Sequence, residues 1–254
     1  MPDNDKMLQV LDKFTNILSK CVVWFFGGMS KDNGRILYSI GSGFIVSYLS
    51  NKYLVTALHV IDKLKAYTAK CISINNTNVV FNMEGLSDID NDIVVFKLTD
   101  KWFADNNIDN TFIFNMDDID FSGERLLYFL LGYPSSKNKI YGIAPNSTRD
   151  RIVLSITAFK YEDDICKITN IKSPIPFLYD HDKILDSKLQ QYTNPPDLHG
   201  MSGGPAIELI HTQDEGLQVR LIGIITEWYK NERIVIATES IKIIDLITKL
   251  ESYD

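Results

Sequence analysis

Gly200-Met201-Ser202-Gly203-Gly204-Pro205 sets one serine in a backbone built for a sharp turn. Glycine reaches φ > 0 without steric cost, and Pro205 fixes the exit direction. A serine held this way can lift its hydroxyl clear of the fold while neighbouring N–H groups point the same way. Acyl transfer needs that pairing of a nucleophile with oxyanion donors. The hexapeptide also reads as a plain glycine-rich turn ahead of a strand, so its partners must decide. A serine hydroxyl needs a base, and histidine titrates in the useful range. The chain has four histidines. His181 lies in an acidic loop-like stretch, His199 stands three residues before Ser202, and His211 sits in a polar hairpin. His59 ends the apolar block Tyr53-Leu54-Val55-Thr56-Ala57-Leu58, where a rigid strand end would position an imidazole. A base needs an orienting group on its other ring nitrogen. Asp88, Asp90 and Asp92 precede the apolar run Ile93-Val94-Val95-Phe96-Lys97-Leu98. Asp92 adjoins that strand, and the other two read as solvated loop residues.

The elements that would carry these groups are short strands separated by turn signals. Strands are predicted at 21–26, 43–47, 53–57, 70–74, 78–82 and 93–98, with turns at Gly27-Gly28 and around Gly41-Ser42-Gly43. Residues 99–122 are rich in Asp and Asn with scattered aromatics and read as a partly structured connector. Further strands are predicted at 124–131, 152–160, 164–170, 204–210, 218–225 and 233–237. Met7, Leu8, Leu11, Phe14, Ile17 and Leu18 have helical spacing, as do Ile241, Ile244, Ile247 and Leu250 near the other end. The expected organisation is an N-terminal helix over 1–19, a first β-barrel over 20–110, a connector over 111–123, a second β-barrel over 124–238 and a C-terminal helix over 239–254.

In this order, Thr56-Ala57-Leu58-His59, Asn91-Asp92-Ile93-Val94-Val95 and Gly200-Met201-Ser202-Gly203-Gly204-Pro205 resemble the three signature blocks of trypsin/chymotrypsin-like serine peptidases. The resemblance implies an all-β fold of two six-stranded antiparallel β-barrels with the site in the cleft between them. It implies a catalytic set of His59 as base, Asp92 as its orienter and Ser202 as nucleophile. The backbone N–H groups of Gly200 and Ser202 would form the oxyanion hole. It implies a substrate wall drawn from Pro196, His199, Thr226, Glu227 and Trp228, with Thr226–Trp228 pairing its backbone with substrate. Glu227 or Asp197 facing inward would select a basic side chain, and facing outward neither would. His199 would either line the pocket or cover the oxyanion loop.

Met201 stands where the secreted enzymes of this family carry the aspartate that pairs with a new N-terminus, so that zymogen switch is missing. The chain therefore looks more like intracellular bacterial trypsin-like peptidases, or the protease part of HtrA-type proteins without a PDZ domain. No cofactor and no metal are expected, and the Asp-rich run at 117–120 lacks calcium-loop spacing. The expected activity is serine endopeptidase on polypeptide substrates, with a regulatory protein partner that orders the site. The competing reading is a catalytically silent peptide-binding module that keeps the cleft.

The composition fits this reading. The chain has 254 residues, 45% hydrophobic and 23% charged, enough for a β-rich unit with a real core. A net charge of −7 argues against a large nucleic-acid footprint. Three widely spaced cysteines suggest neither a zinc site nor a disulfide framework, and read as free thiols in a reducing compartment. The start lacks a basic and then apolar leader, and the first helix reads as packed on the body rather than on a membrane. A cytoplasmic location is expected.

Overall fold

The computed structural model describes residues 18–31, 34–109, 111–117, 124–138, 153–161, 168–179, 184–186, 191–193, 197–212 and 216–253. The predicted N-terminal helix lies outside them, apart from a single 3-10 turn at Ser19–Cys21. His181, Pro196 and most of the predicted 164–170 strand also lie outside; residues 168–170 are irregular.

The first half contains β1 (Val22–Lys31), β2 (Gly34–Tyr48), β3 (Asn51–Ala57), β4 (Ala69–Ile74), β5 (Thr77–Val80), β6 (Leu86–Asp88) and β7 (Ile93–Leu98). They form one antiparallel sheet in the order β5-β4-β1-β2-β3-β7-β6. Helix α1 (Leu58–Lys65) follows β3, and α2 (Asp100–Asp105) follows β7. A short strand, β8 (Phe114–Asn115), leaves the connector and pairs in parallel with Val46 and Ser47 of β2.

The second half contains β9 (Glu124–Gly132), β10 (Leu154–Lys160), β11 (Pro174–Leu178), β12 (Ile184–Asp186), β13 (Gln191–Thr193), β14 (Pro205–Thr212), β15 (Gly216–Tyr229) and β16 (Ile234–Glu239). Six of these close a barrel in the order β10-β11-β16-β15-β14-β9, while β12 and β13 pair with each other. Helix α3 (Ser240–Glu251) ends the described chain.

The alternation of side chains along the strands explains why the halves stay together. In β1, Val23 and Phe25 face the interior of the first half, and Val22, Trp24 and Phe26 face the other way. Leu54 and Tyr53/Val55 divide β3 likewise, as Phe96 and Ile93/Val95 divide β7. In the second half, Leu130 and Ala206 face the barrel interior, while Leu131, Ile207 and Leu209 face outward. The outward residues of both halves meet in one shared core, joined by Ile243 and Ile247 of α3. Apolar residues on both faces are what a strand covered on both sides requires.

Three sequence expectations are corrected. Gly27-Gly28 is not a turn: β1 runs through it, and the Tyr67 ring packs directly on Gly27. Gly41-Ser42-Gly43 likewise lies within β2. His59 is not the end of a strand but the second residue of α1.

Polar links complete the fold. Glu208 is 1% exposed and pairs with Arg220 and, at 3.1 Å, with Arg125. Removing it by Glu208→Ala strands Arg220 beside the core, and a loss of about 3 kcal/mol in urea unfolding is expected. Tyr53 donates a 2.7 Å hydrogen bond to Glu251, tying α3 to β3. Burial, reinforced by the Glu251 carboxylate, pushes the Tyr53 phenol well above its ordinary range. A raised native pKa contributes stability that is whole below the unfolded value of about 10 and is lost as pH rises toward the native value. Urea midpoints measured upward from about pH 9 should therefore fall less steeply in Tyr53→Phe than in the parent chain.

Candidate active site

Helix α1 begins without a capping side chain of its own, because its N-cap is Ala57. The first N–H groups of a helix have no partner within it. Here a distant residue supplies the acceptors. The Asp92 carbonyl accepts from the Leu58 N–H at 3.0 Å, and Asp92 Oδ1 accepts from the His59 N–H at 2.9 Å. The second carboxylate oxygen, Oδ2, lies 2.6 Å from His59 Nδ1. One carboxylate thus caps the helix and fixes the imidazole that the helix carries. Both side chains are partly exposed, His59 at 31% and Asp92 at 18%.

The backbone of Asp92 has φ +52°, a left-handed conformation that aspartate tolerates better than most residues. The preceding Asn91 holds it there. Its amide donates to Asp88 at 2.7 Å, its Oδ1 accepts from the Ser173 N–H at 3.2 Å, and its carbonyl accepts from the Thr238 hydroxyl at 2.8 Å. Ser173 and Thr238 belong to the second half. Asp88 and Asp90 are therefore not idle solvated carboxylates: Asp88 holds Asn91, and Asp90 pairs with Lys172.

The serine loop is fastened at nearly every peptide. The Leu198 carbonyl accepts from Met201 N–H at 3.0 Å, and that of His199 from Ser135 N–H at 2.6 Å. The Gly200 carbonyl accepts from the Ser42 hydroxyl at 2.7 Å, and that of Met201 from Gly204 N–H at 2.9 Å. The Ser202 carbonyl accepts from Ser42 N–H at 2.8 Å. Gly203 N–H donates to the Ile225 carbonyl at 2.7 Å. Among the described residues, the N–H groups of Leu198, Gly200 and Ser202 are left without an acceptor.

Glycine is required where the loop crosses the first half. At Gly203 (φ +86°) a Cβ would run into the Ser42 carbonyl and the Thr56 hydroxyl. Thr56 lies three residues before His59, so the same contact that holds Ser202 places it beside the start of α1. Among the described residues, the Ser202 hydroxyl makes no hydrogen bond to His59.

Beside Ser202 is a shallow pocket lined by Leu130, Leu198, Met201, Ile225, Trp228 and Val235. Sequence reasoning placed Trp228 here. It treated Met201 only as a missing switch aspartate and overlooked Leu130 and Val235, whose place depends on strand pairing. Thr226 is buried and donates to the Ile236 carbonyl at 3.2 Å. Glu227 lies on the opposite face, where it accepts from Thr169 and from the Tyr229 hydroxyl at 3.1 Å. Asp197 accepts from the His199 N–H at 3.0 Å and faces Lys230. The His199 ring is exposed and meets the Trp228 ring edge-on at 5.4 Å.

No protein-family model matches the chain, and no curated protein matches it in sequence. Solved structures do. The inactive form of the Rv3671c protease aligns over 95% of this chain and 94% of its own, at TM-score 0.51 and 10% identity. The active form, from M. tuberculosis, aligns over 95% and 85% at TM-score 0.50 and 12% identity. The serine endoprotease from Yersinia pestis aligns over 93% of this chain and 66% of its own, at TM-score 0.50 and 17% identity. Active and inactive forms match equally well, so this likeness concerns the fold. Among the described residues, no helix is long and apolar enough to cross a membrane.

Ser42 is fully buried, and besides its bond to Gly200 it accepts from the Tyr133 N–H at 2.8 Å. Ser42→Ala leaves a carbonyl and an N–H of the serine loop region unsatisfied. A loss of about 1–3 kcal/mol in denaturant unfolding is expected, with faster hydrogen exchange at Tyr133. The chain has the fold of the trypsin/chymotrypsin-like serine proteases, a second-half closed six-stranded barrel joined to a first-half antiparallel sheet.

Proposed function

We propose that the chain is a serine endopeptidase whose reacting groups are Ser202, His59 and Asp92. The observation that carries this reading is the paired grip of one carboxylate on His59, on a helix that Gly41 links to the Ser202 loop, where the N–H groups of Gly200 and Ser202 have no acceptor among the described residues. In the reaction, Ser202 Oγ attacks the scissile carbonyl carbon while His59 Nε2 takes the hydroxyl proton. The carbonyl oxygen gains charge and is held by the N–H groups of Gly200 and Ser202. His59 returns the proton to the departing amine, leaving an acyl group on Ser202. Water then attacks the acyl carbon while His59 takes its proton; the acyl–Ser202 Oγ bond breaks, His59 returns the proton to Oγ, and the acid product leaves. Asp92 supports the imidazolium that forms in each half-reaction.

Substrate would bind as an added strand. The β14 ladder stops at Ile224, so the edge of β15 beyond it has no partner strand among the described residues. The Ser202 hydroxyl is not hydrogen-bonded to His59 in this structure, and substrate would bring the two together. Catalytic hydrogen bonds commonly tighten when substrate arrives.

The purified chain should be labelled by a fluorophosphonate probe and should cleave unfolded protein. Ser202→Ala should abolish both. Asp92→Asn keeps an acceptor for the helix start but offers the ring the wrong partner, and a drop of about ten-thousand-fold in turnover is expected. Well-folded protein that neither labels nor cleaves would leave the peptide-binding reading in its place.

A further inference from the structure

Resting on the endopeptidase reading, we infer that the pocket beside Ser202 selects small aliphatic side chains at the residue preceding the scissile bond, and that Trp228 sets this limit. Three observations converge on it. Among the described residues the lining is apolar: Leu198, Met201, Ile225, Trp228 and Val235 bring no charged group. The two acids near enough in sequence to serve as selectors are turned to other work. Glu227 is held by Thr169 and Tyr229 on the opposite face of β15, and Asp197 faces His199 and Lys230 at the rim. A lysine or arginine entering the pocket would lose its hydration, and among the described residues no counter-charge lines the pocket to receive it.

The free space is also small, enough for roughly one water-sized group. Trp228 is the wall that makes it so. It stands opposite Val235 in the β15–β16 ladder. From outside it is backed by the His199 ring at 5.4 Å and by Lys230 Nζ at 5.7 Å from its own ring. A side chain braced between a strand partner and two rim residues does not swing aside cheaply, so a phenylalanine or a leucine meets a fixed obstacle. A methyl-sized side chain fits this space, and the demand on the wall grows from valine to leucine to phenylalanine.

The test uses the full chain and tripeptide diphenyl phosphonates that differ only in the side chain next to phosphorus: valine, leucine, phenylalanine or lysine. In these probes Ser202 Oγ attacks phosphorus and displaces phenol, leaving a phosphonylated serine without turnover, and Ser202→Ala is the blank. The valine probe should label at least about tenfold faster than the phenylalanine or lysine probe, the scale on which apolar pockets discriminate. In Trp228→Ala the phenylalanine-to-valine rate ratio should rise by about tenfold or more. Should that variant not fold, Val235→Ala opens the facing wall and should raise the leucine-to-valine ratio. A small fluorophosphonate with no side chain separates the two claims. If it labels Ser202 while lysine or phenylalanine is the fastest peptide probe, or while no peptide probe reacts, the pocket inference is overturned and the endopeptidase reading stands. If it fails to label folded protein, both fall together.

Discussion

One carboxylate at the mouth of a helix organises this molecule. Asp92 supplies the acceptors that the first two N–H groups of α1 lack, and the same side chain holds the His59 ring. Helix starts are usually finished by a local serine, threonine, aspartate or asparagine. Here the local residue is alanine, and the finishing group comes from Asp92, 33 positions beyond His59. The imidazole orientation and the integrity of the helix start are thereby one interaction. Displacing the Asp92 carboxylate would release the ring and the helix start together.

The rest of the fold keeps that carboxylate in place. Asn91 is buried and divides its hydrogen-bonding groups between the first half, through Asp88, and the second, through Ser173 and Thr238. Ser42 makes the reciprocal link from β2 to the serine loop. Both links lie over a core to which each half contributes one face of its strands. Buried polar groups with all their partners present specify a single arrangement, whereas apolar contact alone would allow the halves to slide.

Much of this was legible in the sequence, and what was not has physical reasons. The order of the His59, Asp92 and Ser202 blocks identified the fold, because each block is a local backbone shape that few residue combinations support. The start of α1 was hidden because Thr56-Ala57-Leu58 continues a strand pattern and has no capping residue. Strand β11 was missed because Pro174 and Pro176 break the signal. They are tolerated because the ladder to β10 extends only over Phe177 and Leu178, so their missing N–H groups leave few bonds unmade there. Gly27-Gly28 imitated a turn, although the need there was room for an aromatic ring. The pocket was half legible. Trp228 lies close to the serine block in the expected strand, but Leu130 and Val235 reach it only through barrel closure. Glu227 shows the limit of reading a strand without its register, since a shift of one residue exchanges the faces.

The double-faced seam has a consequence for how anything reaches Ser202. Many two-lobed proteins admit their ligands by rocking the lobes apart about a hinge. Here such a motion would expose the shared core and break the Asn91 and Ser42 links together, dismantling the site in the act of opening it. Entry and exit must therefore be governed at the rim of the cleft, with the two lobes behaving as one rigid anvil beneath it.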